Sequence, residues 1–160
     1  MFVETIEQRV RLVRPRSFAG LMTLYEGNYA RMKQLLGDLR QLQEHMVSVS
    51  PTDLSLYVNV QERSRYTTVM QMTYWFEDGQ GNVADPDLTV RVYHDARLVE
   101  AVDCAGNPRH AALQPLWRPA RSEMEHRWTL NILLHKWLEY CLDNHHRFPR
   151  PAASRPSIAR

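Results

Sequence analysis

Residues 54–63 read LSLYVNVQER, with Leu54, Leu56, Val58 and Val60 at alternate positions and Ser55, Tyr57, Asn59 and Gln61 between them. Successive side chains of a strand point to opposite faces of a sheet, so this spacing predicts a strand with one face on a core and the other toward water. A one-residue slip would turn every apolar side chain outward, which fixes the register along with the element. The return, beginning at SRY (64–66), leads into TTVMQMTYWFE (67–77), rich in Thr, Val and aromatics and predicted as a second strand. DGQGN (78–82) is a loop signal, and Pro86 delays the third strand, LTVRVYHD, until Leu88. In it Leu88, Val90 and Val92 face one way and Thr89, Arg91 and Tyr93 the other, and RLVEAVDC (97–104) makes a fourth strand. Connections this short favour antiparallel pairing, because a parallel pair needs a crossover of about a dozen residues.

Helices are predicted on either side. FAGLMTLYEGNYARMKQLL (18–36) sets Leu21, Leu24 or Tyr25, Met32, Leu35 and Leu36 at spacings compatible with one face; Gly27 weakens its middle and Gly37 suits its C-terminal cap. From Ser122 to His145 the apolar face collects Leu130, Leu134, Trp137, Leu138, Cys141 and Leu142, with Ser122 as N-cap and Glu125 three residues on. The expected fold is therefore α+β: a four-stranded antiparallel β-meander with N- and C-terminal helices packed on one face. Even-numbered strand residues are expected under the helices and odd-numbered ones on a shared outer plane. Residues 1–17 are expected to form an N-terminal extension, 18–146 one α+β domain, and 147–160 a disordered Arg/Pro-rich tail.

Charge is unevenly placed. Of 20 basic and 18 acidic residues, the first sixteen positions hold four Arg and two Glu, and positions 147–160 hold four Arg and no acid. That leaves sixteen acids against twelve bases in residues 17–146. An acidic body argues against nucleic acid as the partner, since such binding draws on basic charge facing phosphate. No apolar run approaches the ~20 residues that span a bilayer, and no basic leader precedes a hydrophobic stretch, so a cytoplasmic protein with no membrane partner is expected. Cys104 and Cys141 lack the spacing of a thiolate metal site and read as reduced thiols in or near the core.

Catalytic motifs are missing: no HExxH, GxSxG, GxxxxGK[ST] or GxGxxG occurs. His94 and Asp95 are a titratable pair, yet as neighbours on a strand they would face opposite ways, and Asp commonly begins a turn. His135 and Glu139, four apart on the last helix, read as a surface ionic pair, and no metal or cofactor is expected. The stronger candidate is the outer sheet face, where Tyr57, Asn59, Gln71, Arg91 and Tyr93 should gather with Arg65 nearby. Rings, amides and guanidinium forks can stack on and bond a planar or anionic ligand. Glu26 and Asn28, beside Gly27, form a further polar group, whose plainest role is capping a helix end.

LYEGNYARMKQLL (24–36), SRYTT (64–68) with LTVRVYHDA (88–96), and WLEYCL (137–142) resemble the YqiB-like family of short uncharacterised bacterial proteins, a domain of unknown function. The resemblance covers most of residues 18–145 and implies no established activity. Genes of that family often stand beside those of nucleotide-hydrolysing enzymes, an association pointing toward nucleotide metabolism or signalling. Where the family begins its last helix with Asp-Glu-Lys, this chain has Glu125, His126 and Arg127; no role is carried to those positions. The expected function is a non-enzymatic regulatory or accessory module binding a small anionic ligand, a nucleotide among them, or a partner protein, with a homodimer also compatible. The alternative is a hydrolase using His94, Asp95 and Glu26 as acid/base or metal groups.

Overall fold

The computed structural model describes residues 17–79, 81–106, 108–117 and 119–148, the side chains of residues 77 and 78 excepted. The expected extension (1–17) and tail (147–160) lie outside the described residues apart from Ser17, Arg147 and Phe148. Helix α1 spans Phe18–Leu36; strands β1 to β5 span His45–Ser48, Leu56–Arg63, Thr67–Asp78, Gly81–Tyr93 and Leu98–Cys104; helix α2 spans Glu123–Asp143. Ser17 Oγ caps α1 by accepting from Gly20 N–H, and the chain leaves through Gly37 at φ 79°, whose N–H bonds Lys33 O. That left-handed conformation is open to glycine without the Cβ clash other residues meet. The helix runs unbroken through Gly27. Ser122 Oγ accepts from Glu125 N–H at 3.2 Å, while the Glu125 carboxylate reaches back to the Arg121 N–H at 2.9 Å.

The sheet is an antiparallel meander in the order β1-β2-β3-β4-β5. Five strands replace the expected four. The addition, β1, is too short for its own alternation to announce it. It is specified by β2, through His45↔Asn59, Met46↔Val58, Val47↔Tyr57 and Ser48↔Leu56. β2 begins at Leu56, leaving Leu54 outside the strand and exposed. β4 begins at Gly81, seven residues ahead of the expected Leu88. Pro86, which brings no N–H, falls where the β3–β4 register breaks between Thr73 and Trp75.

Over their central stretches the strands bury their even-numbered residues, Leu56, Val58 and Val60 of β2, Met70, Met72 and Tyr74 of β3, and Leu88, Val90 and Val92 of β4, and the register shift after Val60 turns Glu62 outward. β5 corrects the shared-plane expectation. The reversal after β4 pairs Tyr93 with Leu98, odd with even, so Val99 and Ala101 enter the core while Glu100 faces outward. A register shift at Thr89/Val90 then restores the original phase, setting Asp103 opposite Thr89. Over the inner face lies α2, with Leu130, Leu133, Leu134, Trp137, Leu138 and Cys141 in one cluster with the strand residues and with Met32 and Leu35 of α1. Trp137 stands edge-on to Tyr74, ring centroids 5.0 Å apart, and Trp117 packs partly buried against the same core.

α1 packs against α2 and β5. There Asn131 of α2 completes the outer edge of the sheet: its Oδ1 accepts from Ala101 N–H at 2.8 Å and its Nδ2 donates to Ala101 O at 3.3 Å and to Arg127 O at 2.8 Å. Asn28 of α1 donates to Asn131 O at 3.4 Å and to its Oδ1 at 3.5 Å. Both asparagines are sealed from solvent. Replacing Asn131 by Leu keeps the volume but leaves the buried Ala101 groups and the Asn28 amide unbonded, each costing about 1–3 kcal/mol. Asn131→Leu should therefore lower the urea-derived unfolding free energy by roughly 3 kcal/mol, and an unchanged midpoint would show that the amide does not close this edge.

Candidate functional site

Tyr57, Asn59, Gln71, Arg91 and Tyr93 do share the outer face. Their polar atoms largely bond one another. Asn59 Oδ1 meets His45 Nδ1 at 2.8 Å; Gln61 Nε2 donates to Gln71 Oε1 at 2.8 Å; Gln71 Nε2 and Thr73 Oγ1 donate to the Asp87 carboxylate at 2.6 and 3.0 Å. Tyr93 donates its hydroxyl to Glu100. Arg91 is held above its ordinary value, first by hydrogen bonding with Tyr93 and further by the charges of Glu100 and Glu62. Burial, then the bond to Glu100, raise the Tyr93 phenol as well. Register places Glu62 opposite the outward Val69, Asp87 opposite Thr73, Glu100 opposite Arg91 and Asp103 opposite Thr89. Among the described residues the face thus opposes four carboxylates to one arginine, a poor surface for an anion.

One end of this face opens into a concavity of about 480 Å³ lined by Tyr57, Trp75, Phe76 and Asn82. Trp75 is 44% exposed there. Nothing in the alternation of β3 announced the hollow, because it depends on how β3 and β4 extend together past the register shift at Thr73.

Unneutralised arginines lie elsewhere, at the end of the sheet where two reversals meet. Pairing of β3 with β4 brings residues 64–66 beside residues 94–97, and His94 N–H bonds Tyr66 O at 2.9 Å. Direction separates His94 from Asp95. The His94 side chain turns inward, buried, with Nε2 2.8 Å from Thr68 Oγ1. Asp95 turns outward and takes Arg40 Nη2 at 2.8 Å. Arg40 also reaches Arg65 O at 3.5 Å, so one guanidinium braces three segments. Arg63 donates to Leu42 O. Arg65 and Arg97 are exposed and, among the described residues, neither has a carboxylate partner; the Arg65 guanidinium lies 5.4 Å from the centroid of the exposed Tyr66 ring. Glu26 is exposed on α1 and Asn28 belongs to the helix–helix contact with Asn131, not to a helix cap. His94, Asp95 and Glu26 therefore do not present side chains to a common solvent-facing point.

The densest titratable cluster was not legible in the sequence at all. His146 is sealed between β1 and the segment that follows it, with Nδ1 2.9 Å from Ser48 Oγ and Nε2 2.8 Å from Asp53 Oδ2. Ser48 Oγ also accepts from Arg147 N–H at 2.9 Å, and Asp53 accepts from the Tyr74 hydroxyl at 2.5 Å and from Tyr140 at 3.4 Å. Burial first, then the Cys141 charge, pushes the Tyr74 phenol far up; burial likewise pushes the Cys141 thiol up to about 12. Ser, His and Asp are the residue types of a nucleophilic triad. Ser48 is only 1% exposed, however, and the His146 side chain is fully enclosed, so no substrate carbonyl can approach. The cluster works as a latch that ties the end of α2 to β1. Signals separated by almost a hundred residues could not reveal it.

His135 is buried and Glu139 pairs with Lys136 at 3.3 Å instead of with it. Among the described residues no group of three His, Cys, Asp or Glu side chains could hold a metal ion, both cysteines are free thiols, and no helix is long and apolar enough to cross a membrane.

Residues 31–147 match the model of a family described as a protein of unknown function, DUF1249. The chain is similar to the uncharacterised protein YqiB of Escherichia coli strain K12, 26% identical over 132 residues covering 78% of this chain and 88% of the relative. YqiB of Escherichia coli O157:H7 is similar to the same extent. No solved structure matches. The matched region holds the arginine-bearing turns and the latch but begins after Glu26 and Asn28.

Burial, and then the Arg40 charge, hold the His94 imidazole below its ordinary value. The folded chain thus binds that proton at lower pH than the unfolded chain, so the associated stability is complete above about pH 6.5 and is lost as the pH falls below it. His94→Gln, which keeps an amide beside Thr68, should flatten this acid-side decline in urea midpoint. Parallel profiles for the two proteins would remove His94 as its source.

Proposed function

The chain belongs to the family of proteins of unknown function DUF1249, and from that premise we propose that it is a non-enzymatic, cytoplasmic regulatory or accessory module that binds a small anionic ligand, a nucleotide among the candidates. The observation that carries this reading is the pair Arg65 and Arg97, exposed at adjoining reversals and, among the described residues, without carboxylate partners, beside the open ring of Tyr66. A guanidinium offers a planar fork matched to phosphate or carboxylate, and a neighbouring phenol ring gives a flat surface on which a base can stack. Arg40, drawn off by Asp95, orders the backbone on which both groups stand. Arg91, which the sequence offered for this task together with Arg65, is already engaged by Tyr93 among the acids of the outer face.

Binding at so exposed a site is electrostatic and weakens with salt. ATP and inorganic pyrophosphate, added separately, should each raise the melting temperature at low ionic strength. Arg65→Ala or Arg97→Ala should weaken the fitted affinity roughly tenfold, as expected for losing a charge-assisted hydrogen bond. Arg91→Ala should leave it unchanged. If neither compound shifts the melt, or if Arg91→Ala alone abolishes the shift, the anion does not bind at these turns.

A further inference from the structure

The charge of the outer face is unevenly spread. At the end near the arginine-bearing turns, Arg91 lies opposite Glu100 and feels the charge of Glu62 as well. Farther along stand Asp103, opposite Thr89, and Asp87, opposite Thr73. The cross-strand rows that hold them, Val47–Tyr57–Thr73–Asp87 and His45–Asn59–Gln71–Thr89–Asp103, contain no Lys or Arg. Gln71 and Thr73 both donate to Oδ1 of Asp87, so its Oδ2 has no hydrogen bond among the described residues. Asp103 is exposed and, among the described residues, makes no ion pair. Arg109 reaches this end through its backbone N–H, accepted by the Asp85 carboxylate at 3.0 and 3.1 Å. Burial, and then the charges of Asp85, Asp103 and Asp87, push the Cys104 thiol up to about 11, as a negative local potential does.

The aromatic hollow adjoins these carboxylates. Tyr57 stands in the row that reaches Asp87, and Trp75 follows Thr73, the partner of Asp87, by two residues. Tyr57, Trp75, Phe76 and Asn82 line a concavity of about 480 Å³, a size that suits a small molecule. Aromatic faces attract cations, most strongly at Trp, and the neighbouring acids set the same sign of preference. Asp87 and Asp103 lie on a diagonal of the sheet, ~7–8 Å apart, a separation that a short methylene chain between ammonium groups can bridge. A peptide backbone is less well served here. Asn59, Gln61 and Gln71 already bond His45, Asp87 and one another, and backbone groups laid over them would lose water without gaining partners. A polyamine brings only donors and methylenes.

We propose that the Tyr57–Trp75–Phe76–Asn82 concavity binds an aliphatic polyamine, with one ammonium group against the Trp75 ring and the next on Asp87 and Asp103. The site is distinct from the arginine-bearing turns, and the proposal does not depend on their ligand.

The test titrates spermidine into the full chain at low ionic strength and follows the Trp75 indole N–H by NMR, assigned through Trp75→Phe. Spermidine should move this resonance saturably, and magnesium chloride at matched ionic strength should not. Trp75→Ala, read through the backbone amides of β3, should weaken binding roughly fivefold, as the loss of a cation–ring contact does. Asp87→Asn and Asp103→Asn should each weaken it roughly threefold, and Asn keeps an acceptor for Gln71 and Thr73. Glu123→Gln, which removes an acid that pairs with Arg127 on α2, should leave the affinity unchanged. A Trp75 resonance unmoved by spermidine would overturn the proposal. So would equal weakening by Glu123→Gln and Asp103→Asn, which would make the binding diffuse. A tetralysine peptide that binds the same residues at least about tenfold more tightly than spermidine would also reject it and give the hollow to a basic protein segment.

Discussion

The sheet is sealed on one face and one edge, and this asymmetry decides what the molecule can present to anything else. Alternation through β2, β3 and β4 puts a continuous apolar surface on one side, and α2 covers it with Trp137 set against Tyr74. At β5 the side-chain amide of Asn131 bonds both backbone groups of Ala101, doing there what another strand would do, and α1 closes over it through Asn28. An unpaired buried N–H or C=O is expensive, so an edge that a helix covers must be completed in this way. Among the described residues no such closure is seen at β1, and the surface proposed for anion recognition lies at the turns that bound the sheet.

Charged groups in this structure divide by what surrounds them. Arg40 and Arg91 are tied to neighbouring acids or phenols, whereas Arg65 and Arg97 sit on tight reversals and, among the described residues, have no carboxylate partner. His94 and His146, both buried, have separate duties: one fastens the β4 reversal to Thr68, the other fastens the end of α2 to Ser48 and Asp53. Buried polar clusters that bond all their members add rigidity and uniqueness. The Ser48–His146–Asp53 arrangement shows that residue types alone do not make a reaction centre, since its hydroxyl is closed to solvent.

Much of the architecture is legible in the residues because it follows from local periodicity. The two helices, the order of the three longest strands, their antiparallel sense and the inward set Val58, Met70, Leu88 and Val90 all follow from spacing and short connections. The outer position of Tyr57, Asn59, Gln71, Arg91 and Tyr93 follows from the same two-residue period. What escaped reading lacks a local signal. β1 has four residues and exists because β2 pairs with it; β5 changes phase because its reversal joins odd to even; Asn28 looks like a capping residue until Asn131 meets it from another helix.

The sequence by itself determined the fold class, the faces of three strands, the caps at Ser122 and Gly37, and a basic end joined to an acidic body, because each of these is written in residues near one another along the chain. Only the tertiary structure decided which arginines stand unpaired, that His94 and Asp95 point apart, that Ser48, Asp53 and His146 share one enclosed site, and that Tyr57 and Trp75 line a common hollow. Those are relations between residues distant in sequence, and chain reversal with strand register, not composition, brings them within reach.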